Sequence, residues 1–158
     1  MKPPDLNGFL KYRQPLLTER FHLQYGVSRS DAEEIFCETL KMLWLIEKRS
    51  SEVNLQGVKG SFGMFQVYRQ LAVLDEMWHT FILFTRDYTD FCQNHFGAYL
   101  HHHPISDEFQ ENASGVFQKN LEAQCRYIIE HLGAETAVKW FKEFPARFPS
   151  FTDASRVS

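Results

Sequence analysis

Apolar residues recur at three- and four-residue intervals along most of this chain, and glycines and prolines interrupt the pattern. Such spacing places apolar side chains on one face of an α-helix. The clearest case is the segment 31–49, where Phe36, Leu40 and Leu43 share a face. Ser30 and Glu33 form a capping box at its start. We therefore predict an all-α fold, a small helical bundle or orthogonal array of about five to six helices.

The other helices are predicted from the same spacing and from the residues that end it. Pro15 can open a helix, and Gly26 can end it. A glycine-rich loop is expected over 50–64, with a short strand near 65–68 left open. The remaining predicted helices are two short pieces within 5–25, a long one over 71–95, and two more over 114–131 and 134–143.

The length and composition set the broad class of protein. With 158 residues and 44% apolar side chains, a single domain spanning 1–158 is expected. The net charge of −3, without a basic stripe, argues against a nucleic acid partner. No apolar run approaches the ~20 residues of a membrane span. The start of the chain does not resemble a signal peptide, and three scattered cysteines suggest reduced thiols, so we expect a cytoplasmic location without a membrane partner.

Five of the seven histidines fall between positions 79 and 103, which concentrates candidate chemistry there. On a helix, Asp75 and His79 lie four residues apart and therefore on one face. Both side chains can ligate a cation, or Asp75 can accept a proton from His79 and orient its ring. A surface carboxylate–imidazole pair without a function fits the same spacing.

The second histidine group is the run His101-His102-His103-Pro104, which we expect to form a loop because of its proline. Along a straight helix His95 would lie ~24 Å from His79, too far to share one ion. A site that includes His79 must therefore recruit an imidazole from the loop beyond Gly97. His95 itself is expected to be exposed.

The residues around His79 resemble the glycine-rich-domain-containing-protein-like family, in its bacterial stand-alone form. The resemblance rests on the Asp75-x-x-Trp78-His79 run, Tyr88, Phe96-Gly97 and a following histidine. It covers about thirty residues. The long glycine-rich tail of plant members is absent from this sequence. The resemblance implies no settled reaction, but it implies that Asp75, His79, Tyr88 and His102 form one polar constellation.

These observations predict a metal-binding helical domain. Whether it is also an enzyme is left open. The expected metal ligands are Asp75, His79 and His102, with His101 as a substitute, and Thr85 and Tyr88 would face a cofactor or substrate. Mixed nitrogen and oxygen ligands suit zinc, iron or manganese. Three protein ligands leave a position for water, as metal-assisted hydrolysis or oxygen chemistry requires. No catalytic residue can be named, and the partner is an unknown small molecule or protein.

Several other functions fit parts of the sequence. The leading alternative is a non-catalytic protein-interaction module, in which the Asp/His cluster is structural and an aromatic groove holds a helix or peptide. Clustered imidazoles also permit a pH-responsive element. A di-metal bundle would use Glu76-x-x-His79 and Glu19-x-x-His22. A Cys92–His95 pair would supply a thiolate nucleophile.

Overall fold

The computed structural model describes residues 4–57, 62–102 and 115–152. Throughout these ranges the regular structure is helical, so the predicted all-α class is confirmed. The longer helices are α2 (Pro15–Tyr25), α3 (Arg29–Gln56), α4 (Ala72–Leu83), α5 (Thr85–Phe96) and α6 (Val116–Leu132). The shorter ones are α1 (Leu6–Phe9), α7 (Ala134–Val138), α8 (Phe144–Arg147) and α9 (Pro149–Thr152), with a 3-10 turn at Arg69–Leu71 and a π turn at Lys139–Glu143.

The chain divides into two compact units, one formed by Met1–Lys48 with Val73–His102 and the other by Arg49–Ala72 with His103–Ser158. The expectation of one domain over 1–158 stays a prediction. No helix among the described residues is both long enough and apolar enough to cross a membrane.

Aromatic rings from four helices and from the segment between α1 and α2 form the core of the first unit. Tyr12, Phe36 and Phe81 contact one another with ring centroids 5.7 to 6.1 Å apart. Phe91 packs on Phe81 at 5.0 Å, and Phe9 packs on Phe91 at 5.3 Å. Buried aromatic pairs of this geometry contribute about 0.5–1.5 kcal/mol each beyond the area that they bury. This core fixes α4 and α5, which carry the histidine region.

In the second unit, a buried arginine contacts residues 62 and 63, which precede the 3-10 turn. The guanidinium of Arg49 lies 4.3 Å from the ring centroid of Phe62 and donates to the carbonyls of Phe62 and Gly63. The hydroxyl of Tyr127 donates to Glu52 at 3.1 Å. The side-chain amide of Gln124 pairs with both backbone groups of Gln66. These contacts replace regular secondary structure along residues 62–68, and the strand left open near 65–68 is not formed.

Helix boundaries differ from the predicted ones in three places. Helix α3 begins at Arg29, because the hydroxyl of Ser28 accepts from the backbone N–H of Asp31, so the predicted capping box at Ser30 is wrong. The same helix continues through the predicted loop to Gln56 and ends at Gly57, whose φ is +74°. The helix predicted over 134–143 is followed directly by α8 (Phe144–Arg147), because Pro145 lies in the first turn of α8, where a residue needs no backbone N–H.

The predicted helix over 71–95 is two helices, and the break falls at Phe84. Its ψ of 67° departs from helical geometry, and its N–H donates to the carbonyl of Phe81. Neither proline nor glycine stands there, so nothing in the local sequence indicates the break. Other boundaries are confirmed: Pro15 opens α2, Gly26 ends it with φ +70°, and Gly97 ends α5 with φ +73°.

Candidate metal centre

Helix α4 supplies two side chains of the candidate site from one of its faces. Asp75 and His79 stand four residues apart, so their side chains meet, with Asp75 Oδ2 3.5 Å from His79 Nε2. Asp75 is buried, whereas the His79 side chain is 39% exposed. The site thus has a buried anion at its base and an imidazole at its rim.

The loop after α5 supplies the third side chain. Gly97 adopts the left-handed conformation, which a residue with a side chain rarely takes, and the chain turns back toward α4. His102 Nε2 then lies 2.7 Å from Asp75 Oδ1, and its ring centroid lies 4.3 Å from that of His79. The predicted return of a loop imidazole to the Asp75–His79 pair is what the structure shows.

A chain of buried hydrogen bonds holds this loop in position. The indole Nε1 of Trp78 donates to the hydroxyl of Tyr88 at 3.0 Å, and that hydroxyl donates to the Leu100 carbonyl at 2.5 Å. The Trp78 ring also packs edge-on against His102, with centroids 4.5 Å apart. Burial raises the pKa of Tyr88, so the phenol stays protonated and keeps donating. Tyr88 therefore anchors the backbone two residues before His102.

Asp75, His79 and His102 form the one group of three or more metal-ligating side chains within the described ranges. One ligand atom from each lies within 4.8 Å of the other two. Two ligands of a tetrahedral ion bound at ~2.0–2.1 Å are about 3.3 Å apart. The Asp75–His79 distance of 3.5 Å already fits this geometry. The 2.7 Å contact between Asp75 Oδ1 and His102 Nε2 is shorter than this separation, so these two atoms would have to move apart to hold one ion.

A second carboxylate lies on the other side of the His79 ring. Glu76 Oε1 is 3.6 Å from His79 Nδ1, and Glu76 Oε2 accepts a hydrogen bond from the hydroxyl of Tyr25 at 2.7 Å. The interaction with Glu76, followed by the charge of Asp75, raises the pKa of His79 despite its partial burial. Sequence reasoning placed Glu76 only in a di-metal motif and missed this role, and it missed Tyr25 altogether.

The other predicted site residues lie elsewhere. His101 is exposed, with its ring 4.7 Å from that of Tyr99, and it is not part of the cluster. Thr85 is exposed at the start of α5. Tyr88 is buried, with its hydroxyl engaged as described. His103 and Pro104 lie outside the described residues.

Two alternative sites are not assembled among the described residues. Glu19 forms an ion pair with Arg29 at 2.8 Å, and His22 Nδ1 lies 2.5 Å from the Val27 carbonyl, so the proposed second half of a di-metal site has other partners. Cys92 is buried, and desolvation raises the pKa of its thiol, which opposes thiolate formation.

The expectation of an exposed His95 is wrong, because this ring is half-buried against aromatic side chains. Its centroid lies 4.8 Å from that of Phe91 and 5.2 Å from that of Phe9. The turn at Phe84 also means that α4 and α5 are not the straight rod assumed for the ~24 Å estimate. His95 is nevertheless absent from the cluster that contains His79.

The chain matches a known protein-family model. A family model described as UCP032817-like matches residues 58–136, which include the whole of α4 and α5 and the loop with His102. No match was found among curated proteins or among solved structures.

Proposed function

Because the chain belongs to the UCP032817-like family, which is uncharacterised, we propose its function from the site itself: Asp75, His79 and His102 bind one divalent transition-metal ion. The observation that carries the proposal is the convergence of three ligand atoms. Asp75 and His79 come from α4, and His102 comes from a loop 23 residues after His79. Imidazole and carboxylate donors suit zinc, iron or manganese.

The surroundings of the three ligands support a site with an open coordination position. Asp75 is held at the buried base, and His79 is partly exposed at the rim, so water can reach an ion held by these side chains. A bound ion there would act as a Lewis acid toward water or a substrate carbonyl. We therefore also propose that the protein is a metal-dependent enzyme. We also propose the resemblance to the glycine-rich-domain-containing-protein-like family, which covers about thirty residues and rests on the Asp75-x-x-Trp78-His79 run, Tyr88, Phe96-Gly97 and a following histidine.

Elemental analysis and a Zn²⁺ titration of protein purified without nickel resin test the proposal. We expect about one bound ion per chain, and at least 100-fold weaker binding in His79→Ala and in His102→Ala, since each removes a ligand. His101→Ala is the matched control, because this neighbouring histidine lies outside the cluster. Fewer than about 0.2 ions per chain, unchanged by His79→Ala, would reject a metal site.

A second candidate function is a protein-interaction module, and an apolar groove on α2 favours it. Leu16 and Leu23, two turns apart on α2, are 72% and 71% exposed, and Phe84 lines the same groove. Arg20 lies between them and forms no ion pair within the described ranges, whereas Glu19 is neutralised by Arg29. These features fit an amphipathic helix that carries an acidic residue opposite Arg20.

Stability measurements distinguish the two functions. If the Asp/His cluster is only structural, His79→Ala and His102→Ala lower the melting temperature of metal-free protein, and a chelator changes nothing. If the cluster binds metal, Zn²⁺ raises the melting temperature of the wild type and of His101→Ala, but not of His102→Ala. The nature of the partner and the cytoplasmic location stay predictions.

A further inference from the structure

We propose that α2 is a homodimer interface, on which a second copy of this chain lays its own α2 in the antiparallel direction. This inference rests on the second candidate function, the protein-interaction module, and names its partner. The juxtaposition that carries it is the outer face of α2, where Leu16, Glu19, Arg20 and Leu23 stand in an order that a twofold axis pairs with itself.

Helix α2 is apolar on two separate sides, and only one of them is buried. Leu17 and Phe21 are fully buried in the first unit. Leu16 and Leu23 lie seven residues apart, so they share a different face, and both are mostly exposed. A helix at a protein surface ordinarily carries polar residues on its outer side. The outer face of α2 therefore has the composition of a contact surface.

The apolar surface extends beyond α2 to the break between α4 and α5. Phe84 lines the same groove as the two exposed leucines of α2. Leu83, the residue before it, is 63% exposed. Exposed apolar patches with polar residues at their edges mark interaction sites in many proteins. The groove thus suits leucine side chains from another helix.

The order of residues along the outer face is symmetrical about the point between Glu19 and Arg20. In an antiparallel pair of α2 helices with a twofold axis at this point, each Leu16 faces Leu23 of the second copy. Each Glu19 then faces Arg20 of the second copy, because the same patch serves both sides of a twofold interface. One face supplies two leucine contacts and two ion pairs, and this self-complementarity favours a second copy over an unrelated chain.

The charged groups of this face are available for such pairing. Arg20 is exposed and forms no ion pair within the parts of the chain that the structure describes. Glu19 accepts from the Arg29 guanidinium at 2.8 and 2.9 Å, and its side chain is 40% exposed. A carboxylate offers about four acceptor positions, so two stay open for a guanidinium of the second copy.

The size of the face sets the strength of the dimer. Helix α2 has 11 residues and is therefore ~16 Å long. An interface built on it is smaller than the ~800 Å² per partner of a standard stable complex. We expect a weak dimer, whose population rises with protein concentration and falls with added salt, because its ion pairs are exposed.

Sedimentation velocity of the full chain at low salt, from about 10 µM to about 1 mM, tests the proposal. The wild type should pass from monomer to dimer over this range. The double variant Leu16→Ser/Leu23→Ser should stay monomeric throughout, and it should stay folded because both side chains are exposed. Leu55→Ser is the matched control, since this leucine of α3 is 75% exposed and lies outside the groove, and it should dimerise as the wild type does.

Charge reversal supplies the sharper readout. Arg20→Glu and Glu19→Arg should each weaken the dimer by about 10-fold or more, because like charges then face each other across the axis. An equimolar mixture of the two variants should dimerise again, since every carboxylate of one chain then faces a guanidinium of the other. Glu33→Arg, at an exposed position of α3, is the control and should not alter the dimer. A folding defect cannot be repaired by mixing, so recovery identifies the interface.

The outcomes separate this proposal from the functions proposed above. A wild type that is monomeric at about 1 mM overturns it, and so does a dimer that survives Leu16→Ser/Leu23→Ser or is not restored by mixing. The interaction module is tested by adding a synthetic helical peptide with two leucines seven residues apart and a glutamate between them. Shifted NMR signals of the Leu16 and Leu23 methyl groups keep that function with another chain as partner, whereas unchanged signals in a monomeric wild type overturn it too. The Zn²⁺ titration tests the metal site independently.

Discussion

Replacing Tyr88 with phenylalanine removes only one oxygen atom, but it should destabilise the protein by about 2–4 kcal/mol. The hydroxyl is the acceptor for Trp78 Nε1 and the donor to the Leu100 carbonyl, and both contacts are buried. Phenylalanine leaves one donor and one acceptor without a partner, and each such loss costs roughly 1–3 kcal/mol. The ring itself keeps its edge-on contact with Phe81 at 5.1 Å, so little packing energy is lost.

The same substitution should loosen the loop that carries His102. Urea unfolding measures the change in global stability, and amide hydrogen exchange at residues 98–102 measures the change in local stability of the loop. We expect faster exchange there and a Zn²⁺ affinity reduced about 10-fold, even though no ligand is touched. Tyr12→Phe is the control, because its ring lies in the same core at Phe91 but supports no loop hydrogen bond at the site. A stability change below about 0.5 kcal/mol would refute the structural role given to the Tyr88 hydroxyl.

Three further predictions follow from other parts of the molecule. Gly97→Ala and Gly26→Ala should each destabilise by about 1–2 kcal/mol in urea unfolding, since both glycines have φ near +70°, but only Gly97→Ala should weaken Zn²⁺ binding. Burial lowers the pKa of His95, so the unfolded chain binds a proton at this ring more readily than the folded protein does. The contribution of His95 to the free energy of unfolding should therefore fall as the pH drops below about 6.5. His95→Gln should remove this part of the pH dependence, and an unchanged profile would contradict the burial argument. The double substitution Leu16→Ser and Leu23→Ser should change unfolding free energy by less than about 1 kcal/mol, because both side chains are mostly exposed, and a larger loss would mean that they serve the core.

The all-α class could be predicted from the sequence because its determinants are local. Apolar periodicity, Pro15 at a helix start, and Gly26 and Gly97 at helix ends act over a few residues. The break at Phe84 could not be predicted, since neither neighbour is a helix breaker. The predicted end of α3 at residue 49 comes too early: glycines among serines and asparagine over 50–64 are typical of a loop, but the helix continues to Gln56.

The candidate site shows the same division between local and distant determinants. The Asp75–His79 pair follows from helix geometry alone, and the turn at Gly97 indicates that a loop histidine can return. Which of the loop histidines returns depends on the buried Tyr88–Leu100 hydrogen bond, whose partners are twelve residues apart. Tyr25 reaches Glu76 across 51 residues, a pairing that no local pattern encodes.

Anomalous diffraction from crystals grown with Zn²⁺, recorded above and below the zinc absorption edge, tests the central claim most directly. The account predicts one strong peak about 2.0–2.2 Å from Asp75 Oδ, His79 Nε2 and His102 Nε2, absent in crystals of His102→Ala. A peak held by other side chains, or none at these three atoms in fully loaded crystals, would contradict it.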